Sequence, residues 1–295
     1  MADDAPLWVV LVVPAGLAVL VWAVAAVDAG PSGSGRRALA LLVQQRRMVR
    51  ASDVPLVRLG TGLLPVAAVL AAAVVPLGFR AVGDLPDGIV WFNAMEALAW
   101  AAVWLTGWGP NSTLSLIGGY RFLAQGLAYE LPHMLAITTA ALGGESLRVG
   151  AVVEAQDGVW FALWMPVAFG IYLSSALAMA FWGPFDQPVG TDTAGGAAVE
   201  LCGVERLLFL GGRWLLFVVS AAFAVPLFLG GGNGPLLPGW AWTGIKTAAV
   251  LAFLLWVRRR MPTVRTERYV EVAWVVLTPL AVAQALVVAL VVLGR

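Results

Sequence analysis

The sequence predicts an all-α polytopic membrane protein with about eight transmembrane helices and a basic amphipathic helix lying at the interface after the first of them. Three observations carry that prediction. Of the 295 residues, 61% are hydrophobic and only 12% charged, too few charges to clothe a soluble domain of this length. The apolar residues gather into eight runs that approach or exceed the roughly 18 residues needed to cross hydrocarbon. The arginines gather in alternate connections, as expected of cytoplasmic loops. The whole chain, 1–295, therefore reads as one integral membrane domain. Its one cysteine, Cys202, excludes an internal disulfide, an iron–sulfur cluster ligated by this chain alone and a cysteine zinc site.

The first run, Pro6 to Val27, is preceded by Asp3 and Asp4. A cleaved signal peptide would begin with basic residues and end at a small-residue site, so this run is expected to stay as the first membrane helix. A Gly/Ser linker, Gly30 to Gly35, leads into RRALALLVQQRRMVR, Arg36 to Arg50, where Leu41, Leu42, Met48 and Val49 share one helical face. That pattern fits a basic amphipathic helix on the membrane surface, either as a positive anchor or as a docking surface. The next spans are Gly60 to Leu77, Ile89 to Trp108, Leu116 to Leu142 and Val159 to Phe181. The connection Gly183 to Arg206 is too long for a turn and weakly hydrophobic; it reads as a docking or gating element that a partner would have to order. Leu207 to Leu229, Trp240 to Val257 and Val272 to Leu293 complete the set.

Arg36, Arg37, Arg46, Arg47, Arg50 and Arg58 crowd the first connection, and Arg258, Arg259, Arg260, Arg265 and Arg268 the seventh. Both should be cytoplasmic, which puts both termini outside a plasma membrane. The opposite connections carry Arg80 and Arg148 among Asp84, Asp87, Glu145, Glu154 and Asp157.

The fourth span carries the chemistry. Arg121, Gln125, Tyr129 and His133 recur every four residues, one stripe about 18 Å long at 1.5 Å per residue, with Glu130 beside His133. A polar stripe of that length cannot face lipid, so it must face other helices or water. Pro132 is expected to weaken the backbone ladder and bend the helix. Glu96, Arg213 and Lys246 from other spans could join the stripe in a proton or charge relay. The alternative is a set of neutralising pairs that only fix helix packing. There is no Gly-rich strand-to-helix segment for NADH, no metal-ligand cluster and no pattern that suggests a nucleic-acid partner.

Several short segments resemble one family: the H-type membrane protein, or subunit 1, of NADH-quinone oxidoreductase, respiratory complex I, together with the related membrane subunits of energy-converting hydrogenases. Gly107, Trp108, Asn111 and Ser112 precede Ala124, Gln125, Tyr129 and Glu130, as the family's GW and SN precede its AQ and YE. VEAQDGVWF at 153–161 is similar to EAQxGLWF, PFDQP at 184–188 carries the PFD motif, and ELCG at 200–203 stands where the family has EYSG. FLGGGNGP at 228–235 is similar to FLGGWNGP; Lys246, Trp256, Arg258, Pro262 and Arg265, then Trp274 and Pro279, keep the family's spacing.

The resemblance implies a complex I membrane subunit that helps form the quinone site and couples electron transfer to proton translocation, an enzyme component without its own redox centre and not catalytic alone. It implies that no cofactor is bound by this chain, that quinone is the substrate of the complex, and that the partners are other membrane and iron–sulfur subunits. By position, Glu130, His133, Arg121, Glu96 and Lys246 are the expected proton and charge relay. Asp186, Glu200, Arg258 and Arg265 are the expected quinone or partner contacts.

The chain is a divergent member. The family's ERK…QxRxGPNRxG segment is replaced by the Gly/Ser/Pro linker. Met179, Trp182, Val189, Thr191 and Thr193 stand where the family has a glutamate, an arginine and three glutamates, and Arg213 where it has a glutamate. Met and Thr cannot carry a proton as a carboxylate does. Three other readings stand beside the first: a hydrogenase-like or partial complex without quinone chemistry, an ion antiporter using the buried Glu/His/Arg stripe, and a structural membrane anchor for a soluble redox module.

Overall fold

The structure, a computed structural model, describes residues 8–29, 31–76 and 83–294. The expected start of the first span at Pro6, Asp3 and Asp4 before it, the end of the second at Leu77, and Arg80 fall outside the described residues. Among those described, the regular structure is entirely helical.

The first span is α1 (Trp8–Ala29). The interfacial helix α2 (Pro31–Val43) starts and stops earlier than the sequence suggests. Proline is well suited to a first helical position, which lets the linker join the helix. At the other end, tertiary contacts override the periodicity. Gln44 Oε1 accepts from the Gly203 amide, Arg46 pairs with Glu205, and Cys202 Sγ lies 2.9 Å from both the Arg47 amide and the Arg47 carbonyl. Residues 44–50, with Arg46, Arg47 and Arg50, are thereby held out of helix.

The second span, α3 (Val54–Ala72), begins six residues before the expected Gly60. Asp53 caps it by accepting from the Leu56 amide, and Pro55 sits in its first turn. It is followed by α4 (Gly88–Trp108) and α5 (Thr113–Gly143). Pro132 lies inside α5 without ending it. After a short α6 (Val149–Glu154), the fifth span is divided at Met165 into α7 (Phe161–Trp164) and α8 (Pro166–Met179). A residue before proline is pushed away from helical geometry, and Met165 has φ −120° and ψ 51°.

The long connection packs on the chain itself. Three single 3₁₀ turns, Gln187–Val189, Thr191–Thr193 and Gly196–Ala198, lie against α5, with Phe185, Pro188, Ala197, Ala198 and Leu201 buried. Gly118 of α5 makes this possible: a Cβ there would stand 2.6 Å from the Pro188 carbonyl oxygen. The later spans are α9 (Gly203–Phe228), α10 (Gly239–Arg260), and a final helix made of α11 (Thr266–Val272), a π turn (Ala273–Leu277) and α12 (Thr278–Leu293). Thr278 Oγ1 donates to the Ala273 carbonyl within the π turn, at 2.9 Å.

The odd-numbered connections meet at one end of the bundle. Arg258 Nη1 is 2.7 Å from Asp28, Ser112 Oγ donates to Glu200 at 2.7 Å, and Gln187 Oε1 accepts from both the amide and the hydroxyl of Thr266 at 3.0 Å. At the other end, Gln156 bridges the Pro226 carbonyl and the Gly230 amide, and Arg148 pairs with Asp84. This alternation is what eight successive crossings require. Among the described residues, α3, α4, α9, α10 and the final helix are each long and apolar enough to cross a membrane. The five helices fit a multi-pass membrane protein, with α5 more polar and α8 shorter.

Candidate functional site

α4 and α5 are joined by a short turn and run side by side; each brings two polar residues three positions apart to their interface, Asn93 with Glu96 and Glu130 with His133. The pairs engage diagonally. Asn93 Nδ2 donates to Glu130 Oε1 at 3.2 Å, while His133 Nε2 stands 3.0 Å from Glu96 Oε2, off the line of a well-directed hydrogen bond. Both side chains of the latter pair have 0% exposure. Asn93 Oδ1, Glu96 Oε1, Glu130 Oε2 and His133 Nδ1 are buried without a hydrogen-bond partner among the described residues.

The setting is otherwise apolar. Tyr172 of α8 lays its ring against His133 at 5.2 Å and donates its hydroxyl to the Ser220 carbonyl. Phe92 stacks on Phe223 at 3.8 Å beside it. In such surroundings an uncompensated charge is expensive, which is why the polar side chains of the two helices are turned toward one another.

The rest of the α5 stripe runs from this cluster to the ordered connection. Tyr129 Oη accepts from Trp100 Nε1 at 2.7 Å. Gln125 donates to the Ala178 carbonyl at 2.7 Å and the Phe185 carbonyl at 3.1 Å. Arg121 forms an ion pair with Asp192 at 2.6 Å and donates to the Gln187 carbonyl at 3.3 Å. Asp192, outside the spans, is held below its ordinary carboxyl value, chiefly by the Arg121 hydrogen bond. The stripe expected from the sequence is thus a ladder of separately held side chains along α5, from Arg121 at the 183–206 connection to Tyr129, and its carbonyl partners were invisible to periodicity.

The structure brings together Glu96, Glu130 and His133, whereas Arg121, nine residues before Glu130 on α5, is held by Asp192 and the Gln187 carbonyl. Lys246 is engaged elsewhere. Its Nζ donates to the carbonyls of Leu229, Gly231 and Asn233 at 2.7, 2.9 and 2.8 Å, and lies 4.7 Å from the Trp160 ring. All three ammonium protons are used. The two glycines at 230 and 231, with φ 67° and 52°, give the backbone the left-handed turn that aims these carbonyls inward. Arg213 donates to the carbonyls of Ala180 and Phe181 at the end of α8 and stacks on Trp182 at 3.6 Å.

Of the expected quinone or partner contacts, Arg258 shares an aromatic platform with Arg213: it lies 4.0 Å from the same Trp182 ring while pairing with Asp28. Glu200 is tied to Ser112. Asp186 is half-buried on the same connection, and Arg265 is exposed just before α11. Sequence reading missed Asn93 as a partner of Glu130; its signal was an amide three residues before Glu96 in an apolar run. It also missed Trp182 as a platform for two guanidinium groups, for which no local pattern exists.

A protein family described as NADH dehydrogenase matches residues 36–289. The second H-type chain of NADH-quinone oxidoreductase from Geobacter sulfurreducens is 35% identical over 258 residues, which cover 84% of this chain and 78% of the relative. The first H-type chain of the same enzyme from Rhodopseudomonas palustris is 36% identical over 216 residues, covering 73% and 68%. The second H-type chain from Cereibacter sphaeroides is 35% identical over 260 residues, covering 87% and 82%.

Proposed function

The chain belongs to the NADH dehydrogenase family whose relatives are the H-type chains of NADH-quinone oxidoreductase, and from that premise we propose that it is the membrane component through which a complex I-type enzyme couples quinone reduction to proton translocation. The observation that supports this reading is the buried group of Glu96, Glu130 and His133 inside α4 and α5, on the same helix α5 whose Arg121 and Gln125 grip a connection outside the membrane.

The 183–206 connection and the arginines at the end of α10 meet the partner subunits and border the quinone site. A charge or displacement there acts on α5 through Asp192–Arg121 and through the two carbonyls gripped by Gln125. α5 carries both Glu130 and His133, so a shift of this helix changes their distances to Asn93 and Glu96 on α4. A buried carboxyl responds to a neighbouring charge by whole pKa units, which turns a small shift into uptake or release of a proton. Arg121 and Glu130 lie on the route; Lys246 fixes the far end of α9. The redox centres belong to the other subunits, and the membrane is the plasma membrane with both termini outside.

Purification of the tagged chain in mild detergent, with mass spectrometry of the co-purifying subunits and detection of bound quinone, tests the assembly. Iron–sulfur and antiporter-like subunits together with quinone are expected. Hydrogenase-like partners without quinone would overturn the quinone reading. The hydrogenase-like reading without quinone is favoured by one observation: Met179 and Thr193 are buried, and Trp182 is clamped by two guanidinium groups, at positions where the family resemblance leads one to expect charged groups.

A further inference from the structure

Between the first turns of α3 and α9 lies an open groove of about 330 Å³, lined by Gln44, Arg46, Arg58, Thr61 and Glu205 on its polar side and by Val204 and Leu208 on its apolar side. Both helices are long and apolar enough to cross the membrane, so the groove sits where the spans begin, at the boundary of hydrocarbon and water. The two sides differ in what they lack. Glu205 is used by Arg46. Arg58 is exposed and has no carboxylate partner among the described residues, leaving one guanidinium uncompensated. Val204 and Leu208 remain 48% and 40% exposed although they belong to a helix otherwise largely buried.

We infer that this groove is a binding site for one anionic phospholipid, whose phosphate meets Arg58 and Arg46 and whose first acyl segment lies on Val204 and Leu208. Charge complementarity decides the occupant. Two guanidinium groups face one carboxylate, a balance that attracts an anion and gives a neutral ring or a zwitterionic headgroup no advantage. Arginine presents a planar fork suited to phosphate oxygens. The apolar wall beside it continues toward the hydrocarbon along α9, which a free phosphate would leave uncovered. The site is independent of the proton-coupling reading, since none of its residues belongs to the α4–α5 cluster or the α5 ladder.

The test is native mass spectrometry of the full chain, delipidated in non-ionic detergent and titrated with phosphatidylglycerol or phosphatidylcholine. One phosphatidylglycerol is expected to be retained at concentrations where phosphatidylcholine is not. Arg58→Gln should weaken that retention by about fivefold, as for loss of one arginine–anionic lipid contact, and Arg58→Lys should keep most of it. Arg58 is exposed and unpaired, so the lipid-free melting temperature of both variants should match the parent and separate loss of the site from loss of the fold. Equal binding of both lipids, unchanged retention in Arg58→Gln, or equal competition by a short-chain neutral quinone would overturn the proposal. Displacement by millimolar inorganic phosphate would reassign the groove to a free anion and overturn the lipid. Absence of phosphatidylglycerol from the intact assembly, with a partner protein cross-linked to position 58, would overturn it in favour of a protein contact.

Discussion

Glu96 and His133 face each other at 3.0 Å with neither side chain reaching the surface, on two helices that also pair Asn93 with Glu130. Each is tolerable only because the other is present. Glu96→Leu or His133→Leu alone should destabilise the protein by about 3–5 kcal/mol, the usual result of stranding one member of a buried pair. The double variant should recover much of that loss. Thermal unfolding in detergent of the two single variants and the double variant checks it; additive losses would show that the pair is not coupled.

Glu130 differs from its neighbours in having one well-placed donor, the Asn93 amide. Glu130→Gln keeps the shape and that hydrogen bond but removes the exchangeable carboxyl proton. Proton translocation by the assembled complex in sealed vesicles should fall by at least about a hundredfold, the scale of losing a positioned proton carrier. Assembly and subunit content should be unchanged. A variant that pumps normally would leave Glu130 a structural residue.

The Arg121–Asp192 pair sets a narrow pH dependence. The carboxyl of Asp192 lies below its ordinary value of 3.8 in the folded chain, so the pair contributes stability that is complete above that value and is lost as pH falls through the folded one. With Asp192 55% exposed, solvent screens the interaction, and the contribution at pH 7 should be well under about 1 kcal/mol. Asp192→Asn should flatten the acid limb of the melting temperature below pH 4 and leave it nearly unchanged at pH 7. A slope of the same size in the variant would assign the acid limb to other carboxyls.

Lys246 closes the end of α9 by saturating three carbonyls. Lys246→Met should cost about 2–3 kcal/mol, of the order expected when charged hydrogen bonds are lost from a partly buried site, and should speed amide exchange at Gly230, Gly231 and Asn233. Lys246→Arg should not restore protection, because a planar guanidinium cannot point at three carbonyls converging on one atom.

Gly118 lets the 183–206 connection touch α5. Gly118→Ala would drive a methyl group into the Pro188 carbonyl and the Ala197 amide, both backbone. A cost of about 1–3 kcal/mol is expected from such overpacking, with faster proteolysis between 187 and 198 and little change at the far end of the bundle.

Much of the architecture was legible because a membrane leaves few choices. The eight apolar runs, the alternation of arginine-rich ends and the Arg121 to His133 stripe all follow from hydropathy and a period of 3.6. What was not legible depended on contacts distant in sequence. Residues 44–50 have a helical pattern, yet Cys202, Gly203 and Glu205 hold them out of helix. The 183–206 connection looked too polar to order itself, but its burial comes from a few small residues against Gly118, which average hydropathy does not register. Glu96 and His133 could be named as candidates; that they meet each other while Lys246 turns to three carbonyls depended on helix rotation, which composition does not specify.

The π turn at Ala273–Leu277 has a further consequence for how this chain can change over generations. A π turn holds one residue more than a regular helical turn, so it absorbs an insertion locally and leaves the faces before and after it in their places. Removing one residue inside 273–277 should return the last span to plain α-helix without rotating either half. The same deletion a few turns later would swing every following side chain by about 100°. The turn is thus the place where the last span can gain or lose length without changing what its two halves touch.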